Sequence, residues 1–243
     1  MAEFADDVEV AVADLADGST VMIGGFGTAG QPVELIEALV RQGASDLTVV
    51  SNNAGNGDVG LAALIASGRV RKIICSFPRQ SDSYRFDERY RAGQIELELV
   101  PQGNLAERIR AAGAGIGGFY TPTGYGTPLA EGKESREIGG RHYVLEFPLH
   151  ADVALIKAQV ADGAGNLTYR KTARNFGPIM ATAARTTIAQ VARVVPTGQL
   201  DPETVATPGI YVQRVVLVPA GEAARSGEAG GLDASAARSG ASR

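Results

Sequence analysis

A glycine-rich segment near the N-terminus contains the first residues whose types and spacing could serve chemistry. The apolar residues Val21–Ile23 predict a strand, and Pro32 predicts the first position of a helix. Backbone N–H groups at such a helix start, with the helix dipole behind them, can bind an anion or a developing oxyanion. The same glycines could also serve close packing of strand and helix alone. The candidate binding loop for a substrate or cofactor, called the glycine loop below, consists of Gly24, Gly25, Phe26, Gly27, Thr28, Ala29 and Gly30.

The glycine loop also contains the spacing GxGxxG, which is typical of dinucleotide-binding sites. That fingerprint further requires an acidic residue about 20 positions later, at the end of the second strand, to bind a ribose hydroxyl. The second apolar run, 47–50, is followed by Ser51, Asn52 and Asn53, so amides stand where the carboxylate should be. The sequence therefore argues against a nicotinamide cofactor.

The elements that must position these residues follow an alternating order. Short apolar or β-branched runs alternate with helical patterns, which predicts an α/β fold with an open, mostly parallel sheet flanked by helices. The predicted strands are 21–23, 47–50, 73–75, 95–100, 143–147, 153–160, 188–195 and 210–218. The predicted helices are 32–40, 59–66, 82–90, 105–112 with Asn104 as N-cap, and a helix near 178–184. The Gly-, Thr- and Pro-rich stretch 113–132 has no periodicity and predicts a loop.

Three amide side chains fall just after predicted strands. Asn52 and Asn53 follow the second strand, and Gln102 follows the fourth. The carboxyl ends of parallel strands meet at one rim of a sheet, where open α/β folds bind their ligands. We therefore expect these three amides to share a rim with the glycine loop.

The composition limits the classes of partner and compartment. Lys and Arg number 23 against 27 Asp and Glu, a net charge of −4, so no basic excess favours nucleic acid or anionic lipid. The N-terminus is acidic and no apolar run approaches the roughly 18 residues of a membrane span, so neither export nor a membrane segment is predicted. The single cysteine, Cys75, favours a reduced compartment, the cytoplasm, over a catalytic thiol. His142 and His150 have no Asp, His or Cys cluster at metal spacing, so no metal site is predicted.

The chain divides into two regions by composition. Residues 1–219 contain all the predicted elements and are expected to form one domain. Residues 220–243 are mostly Ala, Gly, Ser and Arg with almost nothing to bury, which predicts a disordered tail.

Four blocks of sequence carry a resemblance to a known family. The run from Asp17 to Pro32 reads Asp-Gly, two residues, three apolar residues, Gly-Gly-Phe, three residues, Gly, one residue and Pro. It resembles the signature of the A-type subunits of 3-oxoacid coenzyme A (CoA) transferases at every position. The blocks 51–55, 101–110 and 165–176 agree in order and spacing, so the resemblance covers roughly residues 5–218. The segment 75–88 and the short link 131–141 resemble the members that act on 3-oxoadipate more than those that act on acetoacetate.

The resemblance implies an activity and a partner. It implies transfer of CoA from succinyl-CoA to a 3-oxo acid, in ping-pong form, through a thioester on a glutamate of a separate B subunit. CoA thioesters are then substrates, no permanent cofactor is expected, and an A2B2 heterotetramer is the expected assembly. Gln102, Asn52 and Asn53 are the candidate donors to the tetrahedral oxyanion of each step. The glutamate motif of the B subunit is not found in this chain, so the chain alone is expected to be inactive.

Two other groups of residues allow a functional and an ordinary interpretation. Arg79 could bind the distal carboxylate of a dicarboxylic acid or could be a surface arginine. Lys171 and Arg174 could meet the phosphates of CoA, although a solvated face is the simpler interpretation. Two alternative functions also remain: a non-catalytic ligand-binding domain on the same scaffold, and a sugar-phosphate isomerase, which would need an acid and a base in this chain.

Overall fold

The computed structural model describes residues 2–79 and 82–219, and the predicted tail 220–243 lies outside the described residues. The strands are β1 Glu3–Ala5, β2 Thr20–Ile23, β3 Leu47–Val50, β4 Val70–Cys75, β5 Glu96–Leu99, β6 Phe119–Thr121, β7 Ser135–Ile138, β8 Arg141–Glu146, β9 Ala151–Asp162, β10 Leu167–Thr168, β11 Ala184–Val195 and β12 Arg214–Leu217. The α-helices are α1 Val8–Val12, α2 Val33–Gln42, α3 Leu61–Ala66, α4 Tyr84–Arg91, α5 Gln102–Gly113 and α6 Gly177–Ala183.

The large sheet has the strand order β1-β12-β11-β9-β2-β3-β4-β5. All neighbours along this path are parallel. Off the path, the short strand β10 pairs with β9 in the antiparallel sense. The expected α/β fold with an open, mostly parallel sheet is therefore confirmed.

Helices cover both faces of the large sheet, as apolar strands without a polar face require. Successive strand residues point to opposite faces, so Val21 and Ile23 pack in one buried cluster and Met22 packs in the other. Residues of α1 to α4 complete the first cluster, and residues of α5 and α6 complete the second. These two clusters stabilise the strands from which the loops at the carboxyl rim extend.

The stretch 113–132 was wrongly predicted to be a loop throughout. It contains β6 and a 3-10 turn at Pro128–Ala130, and β6 pairs with β8, which also pairs with β7. These strands form a separate three-stranded antiparallel sheet, called the small sheet below. The predicted strand 143–147 thus belongs to the small sheet. The strand β7 shows no alternation of buried and exposed residues, because it is exposed along its whole length.

Several predicted boundaries are also wrong. Asn104 is not an N-cap: α5 begins two residues earlier, at Gln102, and the Asn104 side chain donates instead to Thr123 O and Glu146 Oε1, at 3.2 Å each. The helices α2 and α3 begin at Val33 and Leu61. The predicted strand 210–218 starts with a 3-10 turn, Gly209–Tyr211, before β12. Two N-terminal elements, β1 and α1, were not predicted from the sequence. The strand β1 is only three residues long and pairs with β12 from the far end of the chain, and α1 has only five residues.

Candidate functional site

The rim at the carboxyl ends of β2, β3, β4 and β5 brings together side chains from different loops. These four strands are neighbours in the sheet and run parallel, so the residues that follow them meet at one edge. Asn52 Oδ1 accepts hydrogen bonds from Gln102 Nε2 and from Ser76 Oγ, at 2.8 Å each. Asn52, Ser76 and Gln102 are called the amide cluster below.

The amide cluster fixes the orientation of Asn52. Its side chain is 2% exposed, and the two donors hold its carbonyl oxygen. Ser76 Oγ also approaches the backbone oxygen of Asn52, at 3.1 Å. No acceptor among the described residues takes a hydrogen bond from Asn52 Nδ2. The Asn52 N–H groups are therefore held in place and remain free to donate to a substrate oxygen.

The second asparagine of the pair is used differently. Asn53 Oδ1 accepts from the backbone N–H of Gly55 at 2.9 Å, a local turn, and the Asn53 backbone pairs with Phe77. Gly55 has a φ of 81°, and a Cβ there would lie 2.5 Å from the backbone nitrogen of Ala62. Asn53 thus shapes the loop that follows β3, and the structure does not bring its side chain into the amide cluster.

Ser76 was missed by the sequence analysis. It is the first residue after β4, in the same position relative to its strand as Ser51 is to β3. Asn52 and Gln102 were identified as amides that lie just after predicted strands. The same criterion identifies Ser76 when hydroxyl side chains are considered as well. Its neighbour Cys75 is fully buried, and burial raises the pKa of its thiol to about 12, so Cys75 is not a thiolate near neutral pH.

The glycine loop folds into a tight turn at the end of β2. Phe26 and Ala29 exchange backbone hydrogen bonds, of 3.0 and 3.1 Å, and Gly27 between them has a φ of 59°. The backbone N–H groups of Gly27 and Thr28 donate to no acceptor among the described residues. Phe26 is 51% exposed, so the turn presents one large apolar side chain and free amide donors at the rim.

A second turn supports the glycine loop from the side of β9. Asn175 Nδ2 donates to Ala29 O at 2.9 Å and to Thr172 O at 2.7 Å. A Cβ at Gly30 would lie 2.9 Å from Ala173 O, so the two backbones are in close contact. Residues 171–175, called the cationic turn below, therefore fix where the glycine loop lies.

We expect Gly30→Ala to destabilise the protein by about 2–4 kcal/mol, because the substitution adds a steric clash to backbone strain. Gly30 has a φ of 75°, and the added Cβ would meet an immobile backbone carbonyl at 2.9 Å. Gly27→Ala is the matched control, since its φ is 59° but nothing lies within 4 Å of the added Cβ. Urea unfolding of both variants checks this. Equal losses of stability would contradict the close packing of the two turns.

Arg79 lies outside the amide cluster. Its Nε is 2.6 Å from Asp87 Oδ1, and its guanidinium carbon is 5.7 Å from the centroid of the Tyr90 ring. Both partners belong to α4. Arg79 is half-exposed, with its side chain held on this helix.

Three glutamates that could in principle attack a thioester, Glu88, Glu98 and Glu107, are engaged in ion pairs. Glu88 pairs with Arg85 and Glu107 pairs with Arg110. Burial acts to raise the pKa of Glu98, but its hydrogen bonds to two cations, Lys72 and Arg108, outweigh burial and lower that pKa. In the part of the chain that the structure describes, no carboxylate contacts the amide cluster. The rim thus offers donors for a negatively charged species and no attacking carboxylate.

The described residues contain neither a candidate metal site nor a candidate membrane-spanning helix. No group of three or more His, Cys, Asp or Glu within residues 2–79 and 82–219 is arranged to hold a metal ion. In the same ranges, no helix has the length and apolar character needed to cross a membrane.

Comparisons with known proteins agree with the geometry. The A-type subunit of 3-oxoadipate CoA-transferase from Pseudomonas putida is 70% identical over 91% of this chain and 95% of the relative. The corresponding subunit of a succinyl-CoA:3-ketoacid coenzyme A transferase from Xanthomonas campestris is 55% identical over 87% of both chains. The structure of glutaconate coenzyme A-transferase from Acidaminococcus fermentans superposes with a TM-score of 0.79, covers 90% of this chain and 76% of that one, and is 24% identical, which shows the shared fold.

The family model described as coenzyme A transferase matches residues 5–217, nearly all of the described chain, and so confirms the resemblance found in the sequence. A rim that gathers neutral hydrogen-bond donors at one edge of the sheet is what acyl transfer through an oxyanion requires. This chain belongs to the coenzyme A transferase family.

Proposed function

We propose that this chain is the A-type half of an enzyme that transfers CoA from succinyl-CoA to 3-oxoadipate. The amide cluster carries the chemical part of this proposal, because it holds donors in place without a nucleophile of its own. The name and 70% identity of the Pseudomonas putida relative, against 55% for the Xanthomonas campestris one, support 3-oxoadipate as the acceptor over a short-chain 3-oxo acid. CoA thioesters are substrates here, and no permanent cofactor is invoked.

The reaction would proceed by covalent exchange on a partner glutamate. That carboxylate attacks the thioester carbonyl of succinyl-CoA, and CoA thiolate leaves to give a mixed anhydride. The thiolate then attacks the glutamyl carbonyl, releases succinate and forms a glutamyl-CoA thioester. The carboxylate of the 3-oxo acid attacks this thioester, and the same two steps run in reverse. Each addition creates a tetrahedral oxyanion that a preorganised donor stabilises.

The residues of the rim would divide the work. Asn52 would donate directly to the oxyanion, since its Nδ2 is free and its Oδ1 is held. Gln102 would orient Asn52 and could donate its second N–H, whereas Asn53 would keep the loop in shape. The free amides of Gly27 and Thr28 would bind the carboxylate or carbonyl oxygens of the substrate.

The partner would complete the site at the same rim. Three large apolar side chains, in the segments that follow β2, β3 and β4, are more than half exposed: Phe26 at 51%, Val59 at 59% and Phe77 at 55%. Exposed apolar residues that surround a polar centre are typical of a surface that another chain covers. We propose that the covering chain is a B-type subunit, in an A2B2 assembly located in the cytoplasm, which suits the unpaired, buried Cys75.

The test is reconstitution with a B-type subunit. The mixture should exchange CoA between succinyl-CoA and 3-oxoadipate, and borohydride should reduce a thioester on a glutamate of the partner. Finding the adduct on this chain, or turnover by this chain alone, would overturn the proposal. A higher kcat/KM for acetoacetate than for 3-oxoadipate would support the proposed CoA transfer but would show that 3-oxoadipate is not the preferred acceptor.

We expect Arg79→Gln to lower kcat/KM for 3-oxoadipate by about tenfold and to leave kcat/KM for acetoacetate unchanged. Asp87 and Tyr90 hold the Arg79 side chain, and no described residue pairs with its terminal nitrogens, which would bind the distal carboxylate. Arg91→Gln is the matched control, since Arg91 pairs with the same Asp87 at 3.5 Å. Equal losses with both acceptors would show that Arg79 does not select the substrate.

A further inference from the structure

The cationic turn carries two exposed positive charges for which the described residues supply no carboxylate partner. Lys171 and Arg174 are both exposed, and no ion pair in residues 2–79 and 82–219 includes either of them. Most other exposed arginines in the described ranges are paired, for example Arg41 with Glu9 and Arg110 with Glu107. Two unpaired cations three positions apart leave a local excess of positive charge beside the glycine loop.

The backbone of the cationic turn is strained at one of these cations. Lys171 has a φ of 50°, in the left-handed region that glycine adopts readily and lysine does not. Asp46 is the other such non-glycine residue in the described chain, with a φ of 57°, and Asp tolerates this region because its short side chain bonds locally. A lysine kept at a position where glycine would fit more easily indicates that its side chain is used.

The cationic turn lies at the edge of the candidate active site. It contacts the glycine loop through Asn175 and Ala29 and through the close approach of Ala173 to Gly30. The helix that follows, α6, packs on β9, which is two strands away from β3 and the amide cluster. Neighbouring strands lie about 4.8 Å apart, so the turn, which contacts the loop after β2 and precedes a helix packed on β9, lies one to two strand spacings, roughly 5–10 Å, to the side of Asn52.

This separation decides which anion the cations suit. A group next to the reacting carbonyl would have to lie at the amide cluster itself. The phosphates of CoA, in contrast, are separated from its sulfur by the whole pantetheine arm. Arg recognises phosphate by paired N–H donors and Lys binds it as a point charge, so one of each is a suitable pair for a diphosphate.

We propose that Lys171 and Arg174 bind the phosphate groups of the CoA thioester while its acyl end lies at the amide cluster. This proposal rests on the proposed transferase function and adds the residues that hold the far end of the substrate. The glycine loop then lies between the two ends, since it follows β2, the neighbour of β3, and contacts the cationic turn.

The experiment compares succinyl-CoA with succinyl-pantetheine, which has the thioester but no phosphates. In the reconstituted enzyme, Lys171→Gln combined with Arg174→Gln should lower kcat/KM for succinyl-CoA on the order of tenfold or more. The same variant should leave kcat/KM for succinyl-pantetheine within about twofold of wild type. Arg41→Gln, at the opposite end of α2, is the matched control and should change neither value.

A second variant distinguishes a role of Lys171 in substrate binding from an effect of Lys171 on the stability of the protein. Lys171→Gly relieves the strained φ of 50°, so its Tm should equal or exceed that of wild type while kcat/KM for succinyl-CoA falls severalfold. Unchanged kinetics in Lys171→Gly, or an equal loss with succinyl-pantetheine, would overturn the proposal. A fall in kcat/KM that is seen with 3-oxoadipate but not with acetoacetate would indicate that the cations bind the distal carboxylate of 3-oxoadipate. That result would also overturn the proposal.

A failure of the transferase function can be distinguished from a failure of this proposal. If the wild-type complex transfers no CoA, the proposed function is wrong whatever the variants do. Calorimetric titration of the complex with CoA and with pantetheine then still tests the site. CoA should bind more tightly than pantetheine to wild type, and the double variant should lose that preference. A preference that persists in the double variant would contradict the proposal.

Discussion

Asn52→Ala should lower kcat of the reconstituted enzyme by about 100- to 1,000-fold, the usual effect of removing one donor from an oxyanion site. The expectation follows from its hydrogen bonds. Two donors hold Asn52 Oδ1, so its Nδ2 is oriented before the substrate arrives. Because this donor acts mainly on the charge that develops in the transition state, binding of CoA should weaken much less than turnover.

Steady-state kinetics and calorimetric titration with CoA check the Asn52 prediction. Gln94→Ala serves as the matched control, since Gln94 is an exposed amide whose side chain bonds to Arg89 on α4. A loss of CoA affinity as large as the loss of kcat would assign Asn52 to ground-state binding and would contradict the oxyanion role.

The connection between Asn52 and Gln102 can be tested by a double-mutant cycle. If Gln102 acts by orienting Asn52, then Gln102→Ala should cost much less in an Asn52→Ala background than in wild type. If Gln102 instead donates to the oxyanion independently of Asn52, the losses of kcat in free-energy terms should be additive. The hydrogen bond of 2.8 Å between the two side chains favours the first result.

The sequence could predict the large sheet because its signals are local. The strands β2, β3 and β4 each end in two or three consecutive apolar, buried residues, and each is followed by a glycine or serine. The rule that parallel strands end at one rim then places Asn52 and Gln102 near each other without any further information.

The small sheet could not be predicted in this way. Its strands are short, it has little apolar periodicity, and the residue that anchors it lies far away in sequence. Asn104 bonds to Glu146, 42 positions later, so a residue that looked like a local helix cap is a long-range contact. Similarly, the orientation of Asn52 depends on Ser76 and Gln102, which follow two other strands. The residues around position 52 in the sequence therefore give no sign of that orientation.

We expect Glu146→Ala to destabilise the protein by about 3 kcal/mol, because Glu146 is a buried carboxylate that anchors the small sheet. Its side chain is 4% exposed and lies 2.7 Å from Lys133 Nζ. Asn104 Nδ2 donates to it at 3.2 Å, and Arg108 Nε lies 3.9 Å from its other oxygen. Its loss removes the buried acceptor of one Asn104 N–H and the carboxylate near Arg108, although Lys133, whose side chain is 32% exposed, can turn to water.

Thermal and urea unfolding of the assembled enzyme measure this effect, with an expected fall in Tm on the order of 5–10 °C. Glu107→Ala is the matched control, since Glu107 makes an exposed ion pair with Arg110 on the same helix and should change Tm little. Glu146→Gln should restore part of the loss, because an amide oxygen can still accept from Asn104. If Glu146→Ala were no worse than Glu107→Ala, the small sheet would have to be held by contacts other than this carboxylate.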